Sequence, residues 1–292
     1  MAYEKFIPEL WSEAIQRELE GSYVFAEDCN RQWEGDVKKK GDTVHILGVG
    51  KPSIKSIAFK DESGNRTTNT TIDEPEEIAD SEVILVIDQI RYFNYMVGDI
   101  DKAQAVGGLM DALSKETSEA LADNVDQYIA GFAVDSEVDD LYDDAQEVTK
   151  DNVLDILDEA IQKLYENDVK NSTEVVVTIS PRFYTLFKQA YINADTNNSA
   201  MLKNGKVAMY GNVTVKMSNN VHKTKSSDDA TTKDVDNIMI RTKRAIAFAQ
   251  PLTHTEAYRP ERKFADAVKG FILYGAKVVR PKEIININVK YA

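Results

Sequence analysis

From Asp99 to about Phe132, Ala103, Val106, Met110, Leu113, Thr117, Leu121, Val125, Tyr128 and Phe132 recur at steps of three or four. Asp111, Lys115, Glu116, Glu119 and Asp123 populate the other faces. The spacing predicts a helix on the order of 50 Å long, at about 1.5 Å per residue. Gly107-Gly108 sits inside it. Each glycine costs roughly 1 kcal/mol against alanine there, so a bend or a close backbone approach is expected. A shorter amphipathic helix opens the chain. Leu10, Trp11, Ala14, Ile15 and Leu19 share one face, Pro8 suits the first turn, and Gly21 suits a stop. That face fits packing on its own domain, or an arm that packs on a neighbouring subunit.

The period then changes. Thr43–Leu47 and Ile54–Phe59 read as strands, separated by Gly48, Gly50 and Pro52. The stretch 60–74 is almost devoid of apolar side chains, and Glu82–Asp88 reads as a returning strand. Two strand regions around a polar tip predict a projecting β-arm, which gains stability by lying on something else, because a lone hairpin is marginal in water. Residues 134–148 are strongly acidic and read as a linker between two lobes. A second unit follows. Thr149 reads as an N-cap, and Val153, Leu154, Ile156, Leu157, Ile161 and Leu164 give an apolar helix face. Glu174–Ile179 reads as a buried strand, and Ser180-Pro181 as the start of a helix to Ala190. Val207–Tyr210, Val213–Met217 and Ile238–Ile240 read as strands, 222–237 as a loop, and Arg241–Phe248 as a short helix or turn. Apolar runs at Phe271–Arg280 and Ile284–Val289 return to strand. The second alternates, so one of its faces should be solvated.

The chain has 292 residues, 49 Asp and Glu against 35 Lys and Arg, and a formal net charge of −14. Such a surface repels phosphate backbones and argues against sequence-reading or DNA-coating proteins. Cys29 is the single cysteine, so no internal disulfide forms and a Cys-based metal site lacks partners. The three histidines are far apart in sequence. No apolar stretch suggests a membrane span, and the start does not read as a secretory signal. No dinucleotide or P-loop glycine pattern, HExxH, GxSxG or EF-hand loop occurs. Asp139-Asp140 and Asp143-Asp144 fit no calcium-loop spacing and read as a solvated linker. Cys29 reads as a small core group. Neither a catalytic constellation nor a cofactor site is legible. What the layout offers is surface, which favours a self-associating structural protein.

Two segments carry a resemblance. FIPELWSEAIQREL with CNRQWEGDVKKKGDTVHI, and EAYRPERKFADAVKGFILYGAKVVRP near the end, resemble bacteriophage major capsid proteins, most closely the coat-protein group of short-tailed phages. The two segments anchor both ends, and the element order between them agrees. The resemblance implies an α+β fold of the Hong Kong 97 capsid type. It implies an N-arm at 1–30, a linker at 31–41, an extended β-loop at 42–82 and a peripheral domain at 83–144 with a spine helix at 99–132. An axial α/β domain at 145–252 and peripheral strands at 253–292 complete it. It implies a virion shell subunit, made in the bacterial cytoplasm, that assembles with copies of itself as pentamers and hexamers. A separate scaffolding protein, a portal and an enclosed double-stranded DNA genome would be its partners. Expected contacts between subunits are Trp11, Ile15 and Leu19 on the arm, Lys60 and Arg66 on the loop, and Glu256, Arg259 and Arg262 near the end. The rival readings are an encapsulin-like nanocompartment shell and a soluble α/β enzyme with an unrecognised site.

Overall fold

The computed structural model describes residues 18–34, 43–49, 74, 80–98, 109–170, 173–194, 207–225 and 235–291. Trp11, Ile15, Lys60, Arg66, the strand expected at 54–59, nearly all of the polar tip and the 99–108 part of the long helix lie outside them.

The larger sheet has eight strands. Its path is β4 (Asp139–Asp140), β13 (Ile284–Tyr291), β10 (Val235–Thr242), β6 (Val175–Ile179), β8 (Val213–Met217) and β7 (Val207–Tyr210). β5 (Gln146–Val148) also pairs with β13, and β9 (His222–Thr224) with β10. β6 and β8 run parallel, joined through helix α3 (Pro181–Ala194). A parallel pair needs such a crossover, and it buries the strands on both faces. The Val-Val-Val-Thr-Ile text of β6 fits that demand, and all five of its residues are buried. Ser180 caps α3 as its sequence predicts, its hydroxyl accepting from the Phe183 N–H at 3.4 Å. Helix α2 (Val153–Glu166) buries Val153, Ile156, Leu157, Ala160 and Leu164, an i, i+3, i+4 stripe turned to α3 and the sheet. It ends at Asp168, whose φ of 65° places it in the left-handed region that terminates helices.

Helix α1 (Leu109–Ala130) is the described part of the long helix. Leu121, Ala122, Val125, Ile129 and Ala130 are buried, and α1 continues into a 3₁₀ turn at Gly131–Val134. A three-stranded antiparallel sheet is ordered β11 (Ile246–Tyr258), β12 (Ala265–Val278), β3 (Gln89–Gly98). β1 (Thr43–Val49) and β2 (Asp80–Val86) pair antiparallel, as the arm reading requires. Their base is pinned to the small sheet by Ile46, Leu85 and Ile87 against Ala247, Ala249 and Leu273. Gly275 permits that approach: a Cβ there would meet the Val86 carbonyl oxygen at 2.3 Å.

Several expectations are corrected. The acidic stretch 134–148 is no free linker: β4 and β5 pair parallel with β13 as part of the large sheet. Thr149 does not cap α2. The N-cap position belongs to Asn152, whose Oδ1 accepts from the Thr149 backbone N–H at 2.8 Å. Arg241–Phe248 is a strand end, a tight turn at 243–245 and a new strand. The span 222–237 is not all loop: Thr224, Lys223 and His222 pair with Val235, Asp236 and Asn237. Strand β3 went unread, because its tyrosines and polar residues blur the alternation. The last strand, β13, was expected to have one solvated face. It lies in the large sheet, buried from Ile284 to Ile287.

Candidate assembly surfaces

The segment 18–34 is held by two buried charges. Asp126 on α1 accepts from the Val24, Phe25 and Ala26 backbone N–H groups at 2.8, 3.0 and 3.1 Å. Arg241 on β10, completely buried, donates to the Phe25 and Asp28 carbonyls, both at 2.7 Å. One side chain thus collects the segment's donors and the other its acceptors, so both charges are hydrogen-bonded where burial alone would be prohibitive. Burial pushes Asp126 up to about 6, against the pull of its three N–H donors and of Arg241. Buried Asp28 receives Lys216 at 2.6 Å. Asn30 adds a backbone exchange with Ile246 and Phe248, which ties the segment to β11. Burial likewise raises the Cys29 thiol, with Arg241 opposing, so this cysteine is a core group as its sequence context suggests.

This arrangement corrects one expected contact. Leu19 is completely buried among the residues of the chain's own core and offers nothing to a neighbour. The helical turn at 18–22 therefore belongs to this subunit.

The small sheet presents the opposite case. Residues paired across an antiparallel sheet share a face. The register puts His254, Phe271 and Tyr92 in one row, Glu256, Lys269 and Asn94 in the next, and Tyr258, Ala267 and Met96 in a third. The other face carries Phe93 and Tyr95, stacked at 5.8 Å; Phe93 packs on the core and Tyr95 lies beside Ser114 and Thr117 of α1. The arm base covers this face at its Ile90, Leu273 and Gly275 end and leaves the side chains of Tyr92 and Met96 open. Tyr92 is 80% exposed and Met96 50%, and Phe264, in the β11–β12 turn, is 88% exposed. Each of these side chains leaves roughly 1–3 kcal/mol of apolar burial unrealised. The polar members are internally paired: Glu256 with Lys269 at 3.0 Å, Tyr258 Oη donating to Asn94 Oδ1 at 3.1 Å, and Lys269 over the Tyr258 ring at 5.0 Å.

Glu256 therefore falls on this face, as part of a cross-strand pair. Arg259 and Arg262 flank it in the β11–β12 turn region, both exposed, with Arg259 3.7 Å from Asp266. The structure brings these three together with an aromatic surface that sequence reasoning missed. The signal was Tyr92, Asn94 and Met96 at a period of two, hidden because strand β3 itself was not read. Among the described residues no group of three or more His, Cys, Asp or Glu side chains is arranged to hold a metal, and no helix is long and apolar enough to cross a membrane.

By sequence, the chain matches no protein-family model and no curated protein. Its structure is similar to several solved ones. A Mycobacterium phage Che8 structure superposes with a TM-score of 0.70 and 26% identity, over 90% of each chain. The capsid of the cyanophage P-SCSP1u follows at a TM-score of 0.67 and 16% identity, over 92% of this chain and 88% of that one. The mature capsid of bacteriophage PhiM1 gives 0.63 and 15%, over 92% and 87%. The chain has the tailed-phage major capsid fold. The likeness covers at least nine-tenths of this chain in each of the three, so the α+β capsid architecture accounts for nearly all of it.

Proposed function

We propose that this chain is the major capsid subunit of a tailed phage, a structural and non-catalytic protein. It self-assembles as pentamers and hexamers into an icosahedral shell around double-stranded DNA. The observation that carries the reading is the capsid fold over at least nine-tenths of the chain, coupled to a sheet face that this subunit leaves bare. Assembly from many modest contacts suits such a surface, because closure of the shell multiplies contacts that are individually weak.

In this reading the β1–β2 arm and the segment it carries overlap a neighbouring subunit, and the face of Tyr92, Met96 and Phe271 receives a neighbour. The eight-stranded lobe with α2 and α3 acts as the axial domain, and α1 with the small sheet as the peripheral one. Trp11 and Ile15, ahead of the buried Leu19, serve as arm contacts, and Lys60 and Arg66 as loop contacts. The net charge of −14 disfavours adhesion to the packaged genome. A separate scaffolding protein and a portal complete the assembly.

The test is expression of the full chain, fractionation by size, electron microscopy of the large fraction and assay of its contents. Closed icosahedral particles, emptied or filled with nucleic acid, support the reading. Particles that hold protein cargo and exclude nucleic acid would turn it to a nanocompartment shell.

A further inference from the structure

Charge is unevenly spread over this chain. Residues 134–170 hold 13 Asp and Glu against three Lys, a net of −10 out of the chain's −14. All of these carboxylates except Asp135 are exposed. Asp143 and Asp144 stand on the β4–β5 bend, and Asp155, Asp158 and Glu159 on the solvent side of α2. Lys163 of α2 donates to the Asp140 carbonyl at 2.6 Å, and the Tyr142 hydroxyl to Glu159, so bend and helix form one continuous surface. The small sheet has the opposite sign. Residues 89–98 and 246–278 hold six Lys and Arg against three Asp and Glu. Glu256 pairs with Lys269 at 3.0 Å and Asp266 with Arg259 at 3.7 Å. Only Glu261 then stands against Arg262 and Lys263 in the β11–β12 turn, and all three are exposed. Lys263 reaches the open face itself, its Nζ 3.8 Å from Met96 Sδ. The open end of the small sheet is thus apolar at Tyr92, Met96 and Phe264 and rimmed by positive charge. An exposed apolar patch inside a charged rim has the anatomy of a protein interface.

Sign and symmetry select the occupant of this patch. A two-fold contact of the patch with itself would set Arg262 and Lys263 against their own copies. Like charges across an interface weaken it, whereas opposite charges steer the encounter and fix the register. The chain's own acidic surface supplies the opposite sign, and every copy carries both surfaces. We propose that the open end of the small sheet, with Tyr92, Phe264, Arg262 and Lys263, docks on the acidic surface of α2 and the β4–β5 bend of a second copy. The contact is head-to-tail: each copy offers its small sheet to one neighbour and its acidic surface to the next. Head-to-tail contacts close into rings where the rotation allows, which is the symmetry that pentamers and hexamers need. Both charged sets are exposed, so the contact weakens as salt is raised. The inference rests on the shell reading above and adds to it which two surfaces meet.

The test is sedimentation velocity of the purified full chain beside two charge-reversed variants, R262E/K263E and D143K/D144K, at low and at high sodium chloride. All four positions are exposed, so both variants should melt within about 2 °C of wild type. Wild type should associate, and more strongly at low salt. Each variant alone sets like charges across the contact and should self-associate about tenfold more weakly or worse. An equimolar mixture of the two returns opposite signs to every junction and should associate as wild type does. Unchanged association of D143K/D144K alone, or a mixture no stronger than its components, would overturn the contact. Variants that still close into particles leave the shell reading standing and remove this contact, whereas wild type that never associates removes both. Should a reversal unfold the chain, the neutral pair R262Q/K263Q and D143N/D144N carries the test, each with about threefold weaker association expected.

Discussion

All eight residues of β10 are buried, as are all five of β6, whereas β3 exposes Tyr92, Asn94 and Met96 in alternation. The two sheets belong to one chain, yet they stand differently toward solvent. The larger sheet is closed by α2, α3 and the 18–34 segment, and its polar members, such as Arg241, are satisfied from within the subunit. The smaller one is covered by α1 on one face, while on the other the arm base covers only the Ile90–Leu273 end. A sheet closed on both faces specifies the subunit. A sheet left open over part of one face, with aromatic side chains there, is the surface proposed to meet a neighbour. In the proposed reading, the same physics of burial divides the molecule into a part that folds and a part that associates.

This division is breakable by mutation. The largest effect should come from Arg241→Met. It leaves the Phe25 and Asp28 carbonyls without their donor, and the expected loss is about 3–5 kcal/mol, read as a drop in Tm and in soluble yield. An unchanged Tm would mean that the 18–34 segment contributes nothing to the fold. Gly275→Ala should follow. A methyl group at 2.3 Å from the Val86 carbonyl forces the arm base off the small sheet, at about 1–3 kcal/mol by thermal unfolding.

The opposite signature is expected on the bare face. Replacing Tyr92 and Phe264 together by serine should change monomer stability by no more than about 0.5 kcal/mol per site, because little of either ring is buried. Particle formation, measured by sedimentation, should fall severely. Loss of stability without loss of assembly would invert the comparison.

The smallest effects are in pH dependence, and the two buried carboxylates should differ in sign. Asp126 has a raised folded pKa of about 6 against an ordinary 3.8. The native state then binds the extra proton, so this group's contribution to stability grows as pH falls from about 6 toward 3.8 and is constant below. Wild type should gain on Asp126→Asn across that window. Burial would raise Glu283, but Arg244 at 2.9 Å, Thr242 at 2.5 Å and Arg280 at 3.1 Å outweigh it and lower its pKa. Its contribution is present above the ordinary value of 4.5 and is lost as pH falls through the lowered one. Unfolding curves of each variant across acid pH separate the two.

Much of this was legible in the sequence, for physical reasons. The α1 stripe, the Ser180-Pro181 start of α3 and the apolar run of β6 all follow from local periodicity and capping, and local rules hold where the chain's own core decides the outcome. The failures are non-local. Apart from Val148, β4 and β5 consist of acidic and polar residues, and only β13 beside them makes them strands. β13 alternates like a half-exposed strand, but its asparagines are taken up by neighbours, Asn286 donating to Asn237 of β10 and Asp140 of β4 and Asn288 to the Tyr142 carbonyl. Leu19 and Trp11 share one helical stripe, and nothing in the spacing tells that Leu19 is claimed by the subunit's own core. The open part of the small sheet's face arises only when β3 is brought into register with a hairpin far along the chain.

The central claim is that the open sheet face exists to be covered by another copy. It is tested most directly by electron microscopy of the purified chain beside its Tyr92→Ser/Phe264→Ser variant, with both melting curves in hand. The account predicts closed icosahedral particles from wild type, and folded, unassembled protein of nearly equal Tm from the variant. Intact particles from the variant, or wild-type chains that never close into a shell, would contradict it.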